Sequence, residues 1–231
     1  MTRLNLFIVL SLLSITSKAL NADSSYREEA ITLHTSKGDI KGTITMPLVH
    51  NKKIPVALLI AGSGPTDRDG NNPYAMNAGL KKLAYALAEK NIASLRYDKR
   101  GIGGSKHTNE KESDLRFSDY ISDAEDWIAL LRKDKRFSRI TVIGHSEGSL
   151  IGISAAAKAD KFVSIAGAGQ SADIILKTQL ASQPKEMKDM MYSMIDSLKR
   201  GDTLTNVPPQ LYVLFRPGIQ PYMISWFAHD P

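Results

Sequence analysis

Along residues 27–46, "REEAITLHTSKGDIKGTITM", apolar and polar positions alternate on either side of Lys37-Gly38-Asp39. That alternation predicts a β-hairpin with one buried face. The pattern then changes. "IPVALLIAGSGP" (54–65) is an unbroken apolar run ending in glycines, as expected of a parallel strand covered on both faces. Leu80, Leu83, Ala84 and Leu87 recur at helical spacing, and "NIASLRYD" (91–98) reads as another short strand. Ile121, Ala124, Ile128 and Leu131 mark a second helix, with Ser118 as its expected start and acids in its first turn. "RITVIG" (139–144) is a third buried strand, "SLIGISAAAKA" (149–159) a small-residue helix, and "KFVSIAGAG" (161–169) a fourth strand.

The predicted order is a hairpin followed by alternating strands and helices, which indicates an α/β fold with a mostly parallel sheet. After Gln170 the alternation stops. Met187, Met190, Met191, Met194 and Leu198 form an apolar stripe at helical spacing. It suits either a cap over an apolar pocket, since Met adapts to irregular ligands, or a helix packed on the core. "QLYVLF" (210–215) is a possible short strand.

Composition narrows the class. With 231 residues, 42% hydrophobic and 23% charged, the chain suits one globular domain. The net charge of +6 is spread out, and "YDKRG" (97–101) and "KDKR" (133–136) interleave acids with bases. This is no nucleic-acid footprint. Cysteine is absent, so neither a disulfide nor a thiolate nucleophile exists. Residues 1–22 combine Arg3, an apolar stretch from Leu4 to Ile15 and small residues at Ser17, Ala19 and Ala22. That is the layout of a cleavable export signal, too short for a comfortable membrane span. The expected protein is periplasmic or secreted, with no membrane anchor after cleavage.

Chemistry is concentrated in "ITVIGHSEGSL" (140–150). A G-x-S-x-G pattern is weak alone, but here it follows a buried strand and opens a helix, the context a nucleophile elbow needs. Gly144 and Gly148 remove bulk beside a strained turn at Ser146. The following helix would aim backbone N–H groups at an anion formed there, and Gly152, Ser154 and Ala155 to Ala157 would let it pack closely on the sheet. A second N–H donor is expected from the glycine loop "AGSGPTDRDGN" (61–71), at Ser63. That loop lacks the Gly-Lys-Ser/Thr or G-x-G-x-x-G of a phosphate cradle. Its Asp67, Arg68 and Asp69 are either a local ion-pair cluster or substrate contacts. Nothing in the sequence calls for a cofactor or a metal.

With "GSGPTDRDG" (62–70), "RYDKRGIGGS" (96–105) and "GHSEG" (144–148) in this order, the chain resembles the α/β-hydrolase superfamily, specifically its bacterial exported esterase-like and serine-aminopeptidase-like members. The resemblance covers residues 27–170. It implies Ser146 as nucleophile, the amides of Glu147 and Ser63 as oxyanion hole, and Asp98 and Arg100 as structural holders of the loop after their strand. The expected substrate is a small acyl ester or a short peptide.

A serine nucleophile needs a histidine base and an orienting acid. In this superfamily both follow the serine in the chain. His229 is the one histidine downstream; His34, His50, His107 and His145 lie upstream. Beside Ser146, His145 is expected to be a packing or polar-network residue. Asp173 and His229 could complete a triad only if the chain's end holds the imidazole in place. The preferred expectation is a chain truncated at its C-terminus, with core residues 23–170, the start of a helical cap at 171–231, and no activity of its own. "KFVSIAGAG" would then be an exposed, aggregation-prone edge. A peptidase or thioesterase of the same fold, and a non-catalytic binding domain, are the alternatives.

Overall fold

The computed structural model describes residues 25–48, 52–106 and 111–231. The expected export signal at 1–22 lies outside them, as do His50 and His107. Six strands, β1 (Tyr26–Thr35), β2 (Gly38–Pro47), β3 (Ile54–Ile60), β4 (Ala93–Tyr97), β5 (Phe137–His145) and β6 (Lys161–Ile165), form one sheet in the order β1-β2-β4-β3-β5-β6. β1 and β2 are the antiparallel hairpin read from the alternation, and β2 also runs antiparallel to β4. From β4 through β3 and β5 to β6 every pairing is parallel.

The unbroken apolar runs have their cause in coverage of both faces. On β3, Ala57 and Leu59 pack with Ala84 of α1 (Gly79–Glu89). Val56, Leu58 and Ile60 point the other way, into the main core with α2 (Phe117–Lys133) and α3 (Glu147–Ala155). Trp127 and Phe117 of α2 are fully buried there. Helix α2 starts at Phe117, one residue before the expected Ser118, with Arg116 as its cap, because the Asp119 carboxylate accepts the Arg116 N–H at 2.8 Å. Satisfying that amide fixes the first turn there.

After β6 the chain is helical: α4 (Ala172–Gln179), α5 (Lys185–Lys199), α6 (Tyr212–Phe215) and α7 (Gln220–Phe227), with short 3₁₀ turns between. The possible strand at 210–215 is thus a 3₁₀ turn leading into α6. Leu211 and Phe215 are buried, four residues apart, while Val213 between them is 76% exposed. That is a helical burial period. Met191, Ile195 and Leu198 of α5 join the main core, and Met187 and Met194 pack against it, so the methionine stripe packs its helix on the core.

β6 closes the sheet as an edge strand, with Val163 43% and Ile165 38% exposed. This is the apolar edge expected from the sequence. No helix among the described residues is long and apolar enough to cross a membrane.

Candidate active site

The sequence turns from β5 into α3 at Ser146, whose φ of 53° and ψ of −120° lie outside the regions comfortable for a residue with a side chain. Sterics explain why glycines flank it. A Cβ on Gly144 would fall 2.1 Å from the Gly148 carbonyl oxygen, and one on Gly148 would fall 2.4 Å from the Ile60 oxygen. No side chain survives at either place. The turn is anchored by the Ser146 N–H, which donates to the Ile165 carbonyl at 2.9 Å, and by Ser149 Oγ, which donates to the Gly144 carbonyl at 2.6 Å.

The glycine loop lies against this elbow. A Cβ on Gly62 would come within 3.0 Å of His145 Nδ1 and 3.4 Å of Ser146 Cβ. Ser63, Ser146 and Glu147 line one pocket together. Among the described residues, no protein acceptor takes the Ser63 or the Glu147 N–H. The rest of the wall is mostly apolar: Leu150, Ala172, Ile175, Leu176 and Trp226. Helices α4 and α7 supply part of this wall.

Three hydrogen-bonded clips hold the loops. Asp98, just past β4, accepts the Arg68 N–H at 2.7 Å, its guanidinium at 2.7 and 3.0 Å, and the Gly104 N–H at 2.7 Å. Asp69 pairs with the buried Arg96 at 2.9 Å, and Asp67 accepts the Asp69 and Asn71 amides at 2.9 and 2.8 Å. The charges at 67–69 are therefore a local ion-pair cluster. The third clip was not anticipated. Lys99, 1% exposed, donates through Nζ to the Gly62 carbonyl at 2.7 Å and to Glu147 Oε1 at 2.8 Å. Tyr222 Oη of α7 donates to Glu147 Oε2 at 2.8 Å. Burial holds the Tyr222 hydroxyl well above its ordinary pKa, with the Glu147 charge adding to the effect, so it remains a donor.

The candidate partners of Ser146 go elsewhere. Asp173, at the start of α4, faces Lys199 at 3.1 Å. Burial alone would raise its pKa, but hydrogen bonds from Ser171 and Lys199 outweigh this and lower it. The His229 ring packs on Phe117, centroids 4.9 Å apart. Among the described residues no hydrogen bond joins His229, Asp173 and Ser146. Of the two expectations for His145, packing or polar network, the structure shows packing: the residue is exposed, its ring lies against Gly62, and among the described residues its side chain makes no hydrogen bond.

A family model described as serine aminopeptidase, S33, matches residues 77–206, more than half of the chain. The chain belongs to that family. Consistent with membership, it is 31% identical over 221 residues to esterase EstD of Thermotoga maritima, an alignment covering 90% of this chain and 48% of that protein. The chain thus spans about half the length of the curated relative it matches. Among solved structures, the α/β hydrolase GrgF from Penicillium sp. sh18 superposes with a TM-score of 0.53 at 18% identity, over 84% of this chain and 63% of that one. A hypothetical protein from Pseudomonas aeruginosa superposes with a TM-score of 0.57 at 12% identity, over 97% and 78%. At these identities the structures speak for the fold, which is the α/β-hydrolase fold, and the family match speaks for the elbow's ancestry.

Proposed function

We propose that this family member is a serine hydrolase of carboxylic esters that works through an acyl-enzyme at Ser146. The observation that carries the reading is the strained φ of 53° at Ser146 beside two N–H groups, Ser63 and Glu147, that no protein acceptor takes up. In the reaction, Ser146 Oγ attacks the carbonyl carbon, and the resulting oxyanion accepts hydrogen bonds from both amides. Collapse expels the alcohol, and water then releases the acid. The name of the Thermotoga maritima relative, an esterase, supports an ester substrate, and the apolar wall of Leu150, Ile175, Leu176 and Trp226 suits an apolar acyl chain.

The serine proton needs an acceptor, and none is in contact with Ser146 among the described residues. The described residues therefore supply no triad for Ser146. Their residual hydrolysis is that of an oxyanion hole with binding, about 10³–10⁴ over water in serine enzymes stripped of a triad member. Export is part of the same reading, on the strength of Arg3 and the Leu4–Ile15 stretch.

The family description favours a second reading, amide hydrolysis of a peptide. A free substrate ammonium would want an anionic partner, and among the residues lining the pocket Glu147 is the one Asp or Glu, its side chain only 2% exposed. It is already bound by Lys99 and Tyr222, which supports the ester. A fluorophosphonate probe and a p-nitrophenyl ester test the proposal together. Labelling that vanishes in Ser146→Ala supports it, while the residual hydrolysis of the oxyanion hole survives that change. A folded protein that takes no label at Ser146 counts against it.

A further inference from the structure

Glu147 is the residue next to Ser146, and both of its carboxylate oxygens are occupied inside the protein. Its partner Lys99 is occupied too: two of its N–H bonds go to Gly62 O and Glu147 Oε1, and its ammonium lies 5.0 Å from the centre of the Tyr120 ring. Neither residue is left to act as a base on Ser146. Burying such a pair is poor value for stability, because desolvation consumes most of the Coulomb gain. The geometry shows another use. The Gly62 carbonyl and the Ser63 N–H belong to one planar trans peptide, so they point in opposite directions. Drawing the carbonyl toward Lys99 turns the Ser63 N–H away from it. The same ammonium grips the side chain of Glu147, whose N–H is the other donor at the pocket.

We infer that Lys99 is a positioning residue for the oxyanion hole: through the Gly62 carbonyl and the Glu147 carboxylate, with Tyr222 as second anchor, it sets the direction of both amide donors. This rests on the serine-hydrolase reading. It adds that one buried cation couples the loop after β3 to the elbow after β5, which no local feature of either motif does. Without the cation the Gly62–Ser63 peptide is free to rotate, and an oxyanion loses a pre-aimed donor rather than a chemical group.

The test is the double variant Lys99→Met/Glu147→Met. It removes both buried charges together, leaving neither stranded, and keeps the backbone N–H of residues 63 and 147. The probe is a fluorophosphonate, titrated so that the maximal labelling rate is separated from the half-saturating concentration. Removing an oxyanion donor outright costs about 10²–10³ in rate, so a misaimed pair is expected to lower the maximal rate at least about tenfold. The half-saturating concentration should stay within about twofold. Tyr222→Phe, which loses one anchor, should fall between the double variant and wild type. A mere packing role would not separate rate from binding. A folded double variant that labels at the wild-type rate overturns the inference, as does one that loses rate and binding equally. A double variant that does not fold makes the pair a fold determinant and also overturns it. Wild-type protein that takes no label at Ser146 defeats the serine reading itself, whereas equal labelling of wild type and variant defeats the positioning role alone.

Discussion

Lys99 and Arg100 are consecutive, both buried, and each holds a buried carboxylate, yet they serve different parts of the molecule. Arg100 reaches α2, where its Nε and a terminal nitrogen meet Asp123 Oδ2 and Oδ1 at 2.7 and 2.5 Å. Lys99 reaches the loops around Ser146. The side chains differ accordingly. A planar guanidinium matches one carboxylate with two parallel bonds and so locks one helix in place. A compact ammonium has donors in several directions and can hold a carbonyl and a carboxylate on different loops at once. Two adjacent cations thus divide between scaffold and site, and the chemistry of each head group decides which.

The comparison breaks most visibly on the scaffold side. Arg100→Met strands the Asp123 carboxylate in the core, at an expected cost of about 3–5 kcal/mol. Urea melts should show this as a large drop in the midpoint at unchanged slope. Replacing the pair together, as Arg100→Met/Asp123→Leu, should recover most of the loss, since apolar substitutes for a buried pair are often neutral. That double variant should also keep the wild-type fluorophosphonate labelling rate. Loss of labelling in a folded Arg100→Met/Asp123→Leu protein would erase the division of labour drawn above.

How much of this could be read from residues alone depends on the range of the interaction. The elbow was legible because its causes are local: a β-branched run, two glycines at fixed spacing, and small residues after them. The Asp67–Asp69 charges were half legible, since a cluster is visible in sequence but its partners Arg96 and Asp98 lie on another strand. The Lys99 clip was not legible, because its partner Glu147 is 48 residues away and Tyr222 lies 75 beyond that. Its signal was an acid placed where a helix must pack tightly against the sheet. "QLYVLF" misled for a different reason. Five apolar residues in a row after Gln210 carry no period, and burial of Leu211 and Phe215 in the folded core decides for helix. The exposed β6 edge, in contrast, followed from strand order once the fold was assigned.

A smaller break comes on the site side, from the second anchor of Glu147. Tyr222→Phe removes one hydrogen bond to a buried carboxylate, which is worth about 1.5–3 kcal/mol. The ring itself stays packed against Phe117 and Tyr120, at 6.2 and 5.6 Å between centroids. Thermal unfolding should detect the loss. It should be smaller than for Arg100→Met, because Lys99 still neutralises Glu147. An equal loss would mean that the hydroxyl, not the ammonium, carries the burial of that carboxylate.

The subtlest break is a pH dependence that belongs to the scaffold pair. Burial raises the Asp123 pKa from 3.8 to about 6, with Arg100 pulling against it and the nearby Asp119 and Asp126 charges adding to it. The buried hydroxyls of Tyr97 and Tyr120, pushed above their ordinary values mainly by burial, stay neutral beside it. Between about pH 4 and pH 6 the folded chain then holds a proton that the unfolded chain has released. Stability from this group therefore falls as pH rises through that window, by at most about 1.4 kcal/mol per unit, and is flat above it. Surface carboxylates with lowered pKa, such as Asp134 and Asp160, have the opposite sign, losing stability as pH falls, so the raw curve mixes the two. Subtracting the Arg100→Met/Asp123→Leu curve isolates Asp123, because the surface groups are common to both proteins. The difference in unfolding free energy, wild type minus variant, should shrink from pH 4.5 to pH 6 and then level off. A difference that does not change with pH would mean that the bidentate guanidinium keeps Asp123 ionised throughout, and that burial has been outweighed by the bond geometry.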